Sequence, residues 1–242
     1  MEEKELKTSV GQRVVIIAIA VIMLGSIIAS YAAIVANGGK GSTDTGEQTS
    51  LSDEKIAEYQ KAYNEKLADF QKVTKNDYDQ FIKYRSEVKA YNETSANTDG
   101  LRFRDLKVGN GRELKEGDTD YLSYYIGWCA DEKIFDSSLD DAENPTGFSK
   151  ALNASLGMIE GWNQGVIGMR LGGVRKITIP GELAYKDQME ICGGYNKPLK
   201  FIVMAVANEG DLAKTAEALD TAFMKLQYAN YGIDYDAMMN QQ

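Results

Sequence analysis

The side chains of this sequence that are best suited to chemistry are large, apolar or aromatic, and they lie in the second half of the chain. They are Tyr125, Phe135, Ile159, Trp162, Tyr185 and Phe201. A pocket of such groups with few polar tips suits an apolar ring such as that of proline. Isomerisation of an Xaa-Pro bond must lower a barrier of about 18–20 kcal/mol, and a site does so by binding the twisted amide more tightly than the planar one. This chemistry requires no nucleophile, metal or proton shuttle.

The composition excludes several other classes of function. The chain contains no histidine and two cysteines. Ser-His and Cys-His nucleophile pairs are therefore excluded, and two cysteines cannot form a four-ligand sulfur and nitrogen zinc site within one chain. The net charge of −9 argues against a nucleic-acid surface, since such surfaces neutralise phosphates with Lys and Arg. We expect no metal, no cofactor and no nucleic-acid partner.

Five short motifs follow one another around these residues. They are YIG at 125–127, IFDSS at 134–138, MIEGWNQGV at 158–166, GMRLGGVRKITIP at 168–180 and LAY at 183–185. In this order and at this spacing the chain resembles the FKBP-type peptidyl-prolyl cis/trans isomerases, over roughly residues 101–207. With the N-terminal segment described below, it resembles a membrane-anchored, bacterial-like form of that family.

The resemblance implies a role for each site residue. Trp162 would form the floor under the proline ring, and the walls and remaining substrate contacts would come from Tyr125, Phe135, Phe148, Met158 and Phe201. The backbone N–H of Ile159 and the hydroxyl of Tyr185 would hold substrate carbonyls. Asp136 would be the buried acid that orients polar groups near the twisting bond. The partners implied are proline-containing polypeptides.

The chain departs from the family pattern in the loop that overhangs the site. Lys186 stands where the family usually has Gly, and the loop continues DQMEICGGYNK up to Pro198. One interpretation is an active isomerase, and the other is a weakly catalytic binding or chaperone module. By the family layout, Cys129 and Cys192 fall toward the same end of the sheet. They form either a disulfide, which an oxidising compartment permits, or two unpaired small core residues.

The elements that must position these residues are short strands and one short helix. Residues 101–107, 121–128, 174–179 and 199–205 are β-branched or aromatic and are bounded by turn residues, so they predict strands. Residues 158–169 carry apolar side chains at helical steps. The fold class is therefore α+β, with an antiparallel sheet wrapped on a short helix over an FKBP-like domain at 99–209.

Amphipathic helical patterns flank this domain. In 51–98, apolar and aromatic residues recur at steps of three and four, which predicts one long helix or two with a break at 74–76. This segment is a stalk, a homodimerising surface or a helix packed on its own domain. The C-terminal segment at 210–242 repeats the pattern and covers the domain or pairs with the earlier helix.

The N-terminal region indicates a membrane protein. Residues 14–36 are 23 uncharged, mostly apolar residues, long enough to span a bilayer as a helix. The alternative is a cleaved signal peptide, whose apolar region is usually shorter. Basic residues are more frequent before this segment than after it, which predicts a cytoplasmic terminus at 1–13. A Gly-, Ser- and Thr-rich linker at 37–50 would then lead to an extracytoplasmic domain on a single-pass anchor.

Overall fold

The computed structural model describes residues 51–240 of the chain. The predicted transmembrane segment at 14–36 lies outside these residues, as do the predicted cytoplasmic terminus at 1–13 and the whole linker at 37–50. Within 51–240, no helix combines the length and the apolar character that crossing a membrane requires.

The described residues form five α-helices and six strands. The helices are α1 (Asp53–Phe81), α2 (Glu93–Thr98), α3 (Glu160–Gly165), α4 (Gly210–Asn230) and α5 (Tyr235–Met239). The strands are β1 (Arg102–Lys107), β2 (Tyr121–Trp128), β3 (Ile134–Ser137), β4 (Leu152–Asn153), β5 (Val174–Ile179) and β6 (Leu199–Ala207). They divide into a sheet unit, comprising 83–137 and 152–207, and a helical unit, comprising 51–82, 138–151 and 208–240.

The sheet of the sheet unit is antiparallel throughout and runs in the order β1-β5-β6-β2-β3, with β4 also paired to β2. Strand β2 lies between β6 and β3 inside the sheet, and all of its residues are buried. Its Gly127 pairs with Phe201 of β6 on one side and with Asp136 of β3 on the other. This register gathers residues from three distant segments of the sequence at one place.

Helix α3 packs against strand β5. A Cβ atom at Gly161 would lie 2.3 Å from Cγ2 of Ile179, so glycine at this position allows the helix to approach the strand closely. The helix is shorter than the predicted 158–169, because the residues after it bond elsewhere. The N–H of Gly168 and the carbonyl of Met169 both pair with the backbone of Leu114.

The segment between α1 and β1 differs from the prediction of one long helix, or of two with a break at 74–76. Helix α1 continues through 74–76 and ends at Phe81, and a 3-10 turn follows it at Ile82–Glu87. The indole N–H of Trp128 donates to the carbonyl of Lys89 at 3.0 Å, and the hydroxyl of Tyr91 donates to the carbonyl of Pro198 at 2.8 Å. These bonds hold the chain in an irregular path along the sheet, and they compete with helix formation.

The helical unit is built on the pairing of α1 with α4. The rings of Tyr63 and Phe223 are 6.1 Å apart between their centroids, so they pack across the two helices. The hydroxyl of Tyr59 contacts carboxylates of Asp234 and Asp236 at the start of α5. The C-terminal helix therefore pairs with the earlier one, as one of the two alternatives predicted.

Candidate active site

A cluster of aromatic rings lies between α3 and the sheet. The centroids of Tyr125 and Trp162 are 5.7 Å apart, those of Trp162 and Phe201 are 5.3 Å apart, and those of Phe135 and Phe201 are 5.6 Å apart. Each pair is close to perpendicular, which is the favoured edge-to-face arrangement of aromatic rings. We call these four residues the ring cluster.

The ring cluster depends on a glycine in β2. A Cβ atom at Gly127 would lie 2.7 Å from both the Phe135 ring and the Phe201 ring. Any larger residue would push the two rings out of place. The motif Tyr125-Ile126-Gly127 therefore has a physical reason, since it supplies one ring and leaves space for two others.

Polar groups meet at one edge of the cluster. The hydroxyl of Tyr125 donates a hydrogen bond to Oδ2 of Asp136, and the N–H of Ser137 donates to Oδ1 of the same carboxylate at 2.9 Å. Burial raises the pKa of Tyr125 well above its ordinary value, and the negative charge of Asp136 raises it further. Burial and the Asp136 charge also raise the pKa of Tyr185. Both phenols therefore remain protonated donors across the physiological range.

The start of α3 provides a further polar group. The carbonyl of Ile159 accepts hydrogen bonds from the N–H groups of Trp162 and Asn163, at 3.0 and 3.2 Å. The N–H of Ile159 precedes the helix and has no place in its hydrogen-bond ladder. An N–H at this position is suited to a carbonyl of a bound peptide.

Three of the four rings of the ring cluster are nearly fully buried, and Phe135 is partly buried. Trp162 is 2% exposed, and Tyr125 and Phe201 are each 3% exposed. They belong to one apolar cluster with Met158, Ile159, Tyr185, Met189, Ile191 and Cys192. Within 51–240, no group of three or more His, Cys, Asp or Glu side chains is placed to hold a metal ion.

Comparison with known proteins identifies the family. The family model for FKBP-type peptidyl-prolyl cis-trans isomerase matches residues 111–206. An FK506-binding protein of Neisseria meningitidis serogroup B is 39% identical over 89 residues, which cover 36% of this chain and 74% of that protein. The chain belongs to the FKBP-type peptidyl-prolyl cis-trans isomerase family.

Two other relatives match over part of their length. FK506-binding protein 4 of Gibberella zeae is 44% identical over 87 residues, which cover 36% of this chain and 16% of that protein. The chloroplastic peptidyl-prolyl cis-trans isomerase FKBP13 of Arabidopsis thaliana is 36% identical over 111 residues, 42% of this chain and 50% of that protein. The chain therefore spans half or less of the length of these two relatives.

The structure brings most of the predicted site residues of the FKBP domain together. The residues that lie in the apolar cluster, or bond directly to one of its members, are Tyr125, Phe135, Asp136, Met158, Ile159, Trp162, Tyr185 and Phe201. Phe148 is placed differently from the predicted pocket wall. It lies in the helical unit, where its ring packs 5.5 Å from Tyr78 and 5.6 Å from Phe81. The segment 138–151 folds with α1, which is why a match by sequence order misplaced it.

Two residues of the overhanging loop were missed. Met189 and Ile191 lie in the apolar cluster. From the sequence, their loop was recognised only as a departure from the family pattern. Their signal in the sequence was alternation, because apolar residues two apart in a loop can point the same way. The same loop carries Cys192, which forms a disulfide with Cys129 across a Cα separation of 5.4 Å.

Proposed function

We propose that this chain is an active peptidyl-prolyl cis-trans isomerase that acts on Xaa-Pro bonds in polypeptides. The observation that carries the proposal is the ring cluster bordered by the bonded pair of Tyr125 and Asp136. Such a site offers an apolar surface for the proline ring and polar groups for the amide on either side of it.

The geometry suggests how the barrier is lowered. The planar amide is the more charge-separated form, so transfer into an apolar, water-poor site raises its energy relative to the twisted form. The N–H of Ile159 and the protonated hydroxyl of Tyr185 can hold the carbonyls that flank the proline, which fixes the peptide while its bond rotates. Asp136 orients the Tyr125 hydroxyl at the edge of the ring cluster. No proton needs to leave a side chain in this scheme.

The site of action is part of the same proposal. The apolar segment at 14–36 would anchor the chain in a membrane with its terminus in the cytoplasm, and the isomerase would act on proteins outside it. The disulfide supports this location, because disulfides form and persist in oxidising compartments. Homodimerisation through the helical segment remains a prediction that sedimentation of the full chain tests.

The experiment is a peptide isomerisation assay on the full chain. We expect activity in the parent protein and a large loss in Trp162→Leu and Tyr185→Phe, since the first removes the ring floor and the second a carbonyl donor. Trp128→Phe is the matched control, because its indole lies on β2 and donates to Lys89 instead. An inactive parent, or site variants as active as this control, would refute catalysis.

The second candidate is a binding module with little activity. The observation in its favour is the overhanging loop, whose Met189 and Ile191 share an apolar cluster with the well-covered rings. The same assay separates the two, if proline-peptide binding is measured beside it. Binding that depends on Trp162, without acceleration of isomerisation, would favour the module.

A further inference from the structure

The segment 186–196, which we call the roof, is tied down at its base. The N–H of Lys186 donates to the carbonyl of Gly181 at 3.2 Å, and the N–H of Asn196 donates to the carbonyl of Lys186 at 2.6 Å. The second bond joins the two ends of the roof, and the first ties the start of the roof to the preceding turn. The base therefore has a fixed geometry of its own.

The tip of the roof is a tight hairpin. Ile191 and Gly194 exchange backbone hydrogen bonds of 3.0 and 3.2 Å. The two residues between them, Cys192 and Gly193, have φ angles of +56° and +76°. Two consecutive residues with positive φ are the pattern of a type I′ turn, in which a residue other than Gly, Asn or Asp is unusual.

A disulfide connects this tip to another part of the site. Cys192 is bonded to Cys129, which is 4% exposed and directly follows β2. The N–H of Cys129 donates to the carbonyl of Lys133 at 2.9 Å, in the turn that leads into β3. The same short β3 carries Phe135 and Asp136, so the bridge links the roof tip to the turn beside two site residues.

The roof also contributes to the apolar core that contains the rings. Met189, Ile191 and Cys192 belong to the apolar cluster that contains Trp162, and Ile191 is itself buried. Tyr125, Trp162 and Phe201 are nearly fully buried, whereas Phe135 and Tyr185 are only partly buried. A change in the position of the roof would alter the apolar cluster that contains these residues.

We propose that the Cys129–Cys192 disulfide is a clamp that holds the roof closed over the proline site, so that its reduction opens the site to substrate. This inference rests on the proposed function. A dithiol reductant supplies two electrons and two protons, the S–S bond becomes two cysteine thiols, and the dithiol becomes its own disulfide. If the open form is the one that binds, the clamp raises the apparent dissociation constant by a factor equal to the reciprocal of the fraction of time the roof is open.

The first test measures the roof itself by hydrogen exchange on the full chain, oxidised and dithiol-reduced. We expect the amides of Ile191, Gly194 and Asn196 to exchange faster after reduction, while the amides that pair β5 with β6 keep their protection. Equal exchange of the roof amides in both states would overturn the clamp. This readout does not depend on catalysis.

The second test measures isomerisation of an Xaa-Pro peptide in the same two states. We expect kcat/KM to rise about fivefold or more on reduction, because KM falls while kcat stays unchanged. Reoxidation should restore the original kcat/KM. The double variant Cys129→Ser with Cys192→Ser should have the kcat/KM of the reduced protein, and addition of the dithiol should not change it. A disulfide that served only overall stability would not lower KM.

The outcomes of the two tests separate the clamp from the isomerase. Activity that is equal in the oxidised and reduced proteins would overturn the clamp and leave the isomerase standing. Absence of activity in both states would refute the isomerase, and hydrogen exchange would still decide whether the roof opens. If the double variant fails to fold, the reduced parent protein gives the same comparison.

Discussion

The hydroxyl of Tyr125, on strand β2, donates a hydrogen bond to Oδ2 of Asp136 on the neighbouring strand β3. The other carboxylate oxygen accepts the N–H of Ser137, so each oxygen of the acid has a donor. Tyr125 also packs its ring against Trp162. One residue therefore joins the apolar floor of the site to its acidic edge.

Tyr125→Phe tests this link. The ring stays in place, but the Asp136 carboxylate loses a buried donor. We expect the free energy of unfolding to fall by about 1.5–3 kcal/mol, which is typical of a hydrogen bond to a charged group. We expect kcat/KM to fall about tenfold, since 1.4 kcal/mol of lost positioning corresponds to that factor. Peptide isomerisation and urea unfolding provide the two measurements.

Tyr124→Phe is the matched control for this prediction. Tyr124 is buried on the same strand, but its side chain lies on the other face of β2. The control should leave kcat/KM unchanged. A Tyr125→Phe protein as active as the control would show that the bond to Asp136 has no part in the reaction.

Lys186→Gly should stabilise the protein. Lys186 has a φ of +55°, in the left-handed region, which is a physical reason for the glycine that the family usually has here. A left-handed backbone costs a non-glycine residue about 1–2 kcal/mol. Glycine avoids this cost, but it lowers stability by about 0.4–1 kcal/mol because it raises the entropy of the unfolded chain.

We therefore expect a net gain of about 0.5–1 kcal/mol from urea unfolding of Lys186→Gly. Lys186→Ala removes the same ammonium group, with its 3.8 Å ion pair to Glu160, but keeps the strained backbone. It should be no more stable than the parent. Equal stability of the two variants would exclude backbone strain as the cause.

Much of the fold could be predicted because its signals are local. Strand β2 and strand β5 lie at the predicted bounds, since runs of β-branched and aromatic residues between turns specify strands directly. The site residues Tyr125 and Trp162 could be predicted for another reason. The motifs around them carry the glycines, Gly127 and Gly161, that close packing of this site demands.

Other features depend on tertiary contacts that no local pattern specifies. Phe148 packs on α1 because the segment 138–151 folds with the helical unit. The spacing of Phe148 from the neighbouring motifs in the sequence does not show this. The pairing of Cys129 with Cys192 depends on the fold of the roof tip, which the sequence left open. The irregular path after Phe81 follows from bonds to Trp128 and Pro198, far along the chain.

The contacts of Asp234 and Asp236 at the start of α5 should contribute less stability in acid. Asp234 caps α5, and its pKa is lowered first by the N–H of Ala237 and then by the hydroxyl of Tyr59. The pKa of Asp236 is lowered first by Lys225, 2.8 Å away, and also by Tyr59. Because both folded pKa values lie below the unfolded ones, this stabilisation is complete above the unfolded pKa and is lost as the pH falls through the folded pKa.

The corresponding measurement is the urea midpoint at about pH 6 and about pH 3, on either side of the ordinary pKa of an aspartate. Replacing Asp234 and Asp236 together by Asn should lower the midpoint at the higher pH and reduce its dependence on acid. Glu217→Gln, at an exposed site on α4, should leave that dependence unchanged. An unaltered acid response in the Asn variant would exclude these carboxylates as its source.

Arg175 should support the site without touching substrate. The residue is 2% exposed, and its guanidinium donates from Nη1 to the carbonyls of Gly165 and Ile167, at 2.9 and 2.8 Å, where α3 ends. Nε and Nη2 bind the carboxylate of Asp105 on β1. One side chain thus fixes the helix that carries Trp162 to two strands of the sheet.

Arg175→Met should lower the free energy of unfolding by about 2–3 kcal/mol. This loss is smaller than for a fully buried ion pair, because Asp105 is partly exposed. It should also shift the fluorescence of Trp162, measured in a Trp128→Phe background. Arg175→Lys keeps the charge but cannot form the same forked set of hydrogen bonds. Its free energy of unfolding should therefore lie between those of Arg175→Met and the parent protein. Lys176→Met removes a more exposed ion pair to Glu87 and should change stability by less than about 1 kcal/mol. If Lys and Met at position 175 were equally stable and left the fluorescence unchanged, Arg175 would have no role in holding α3.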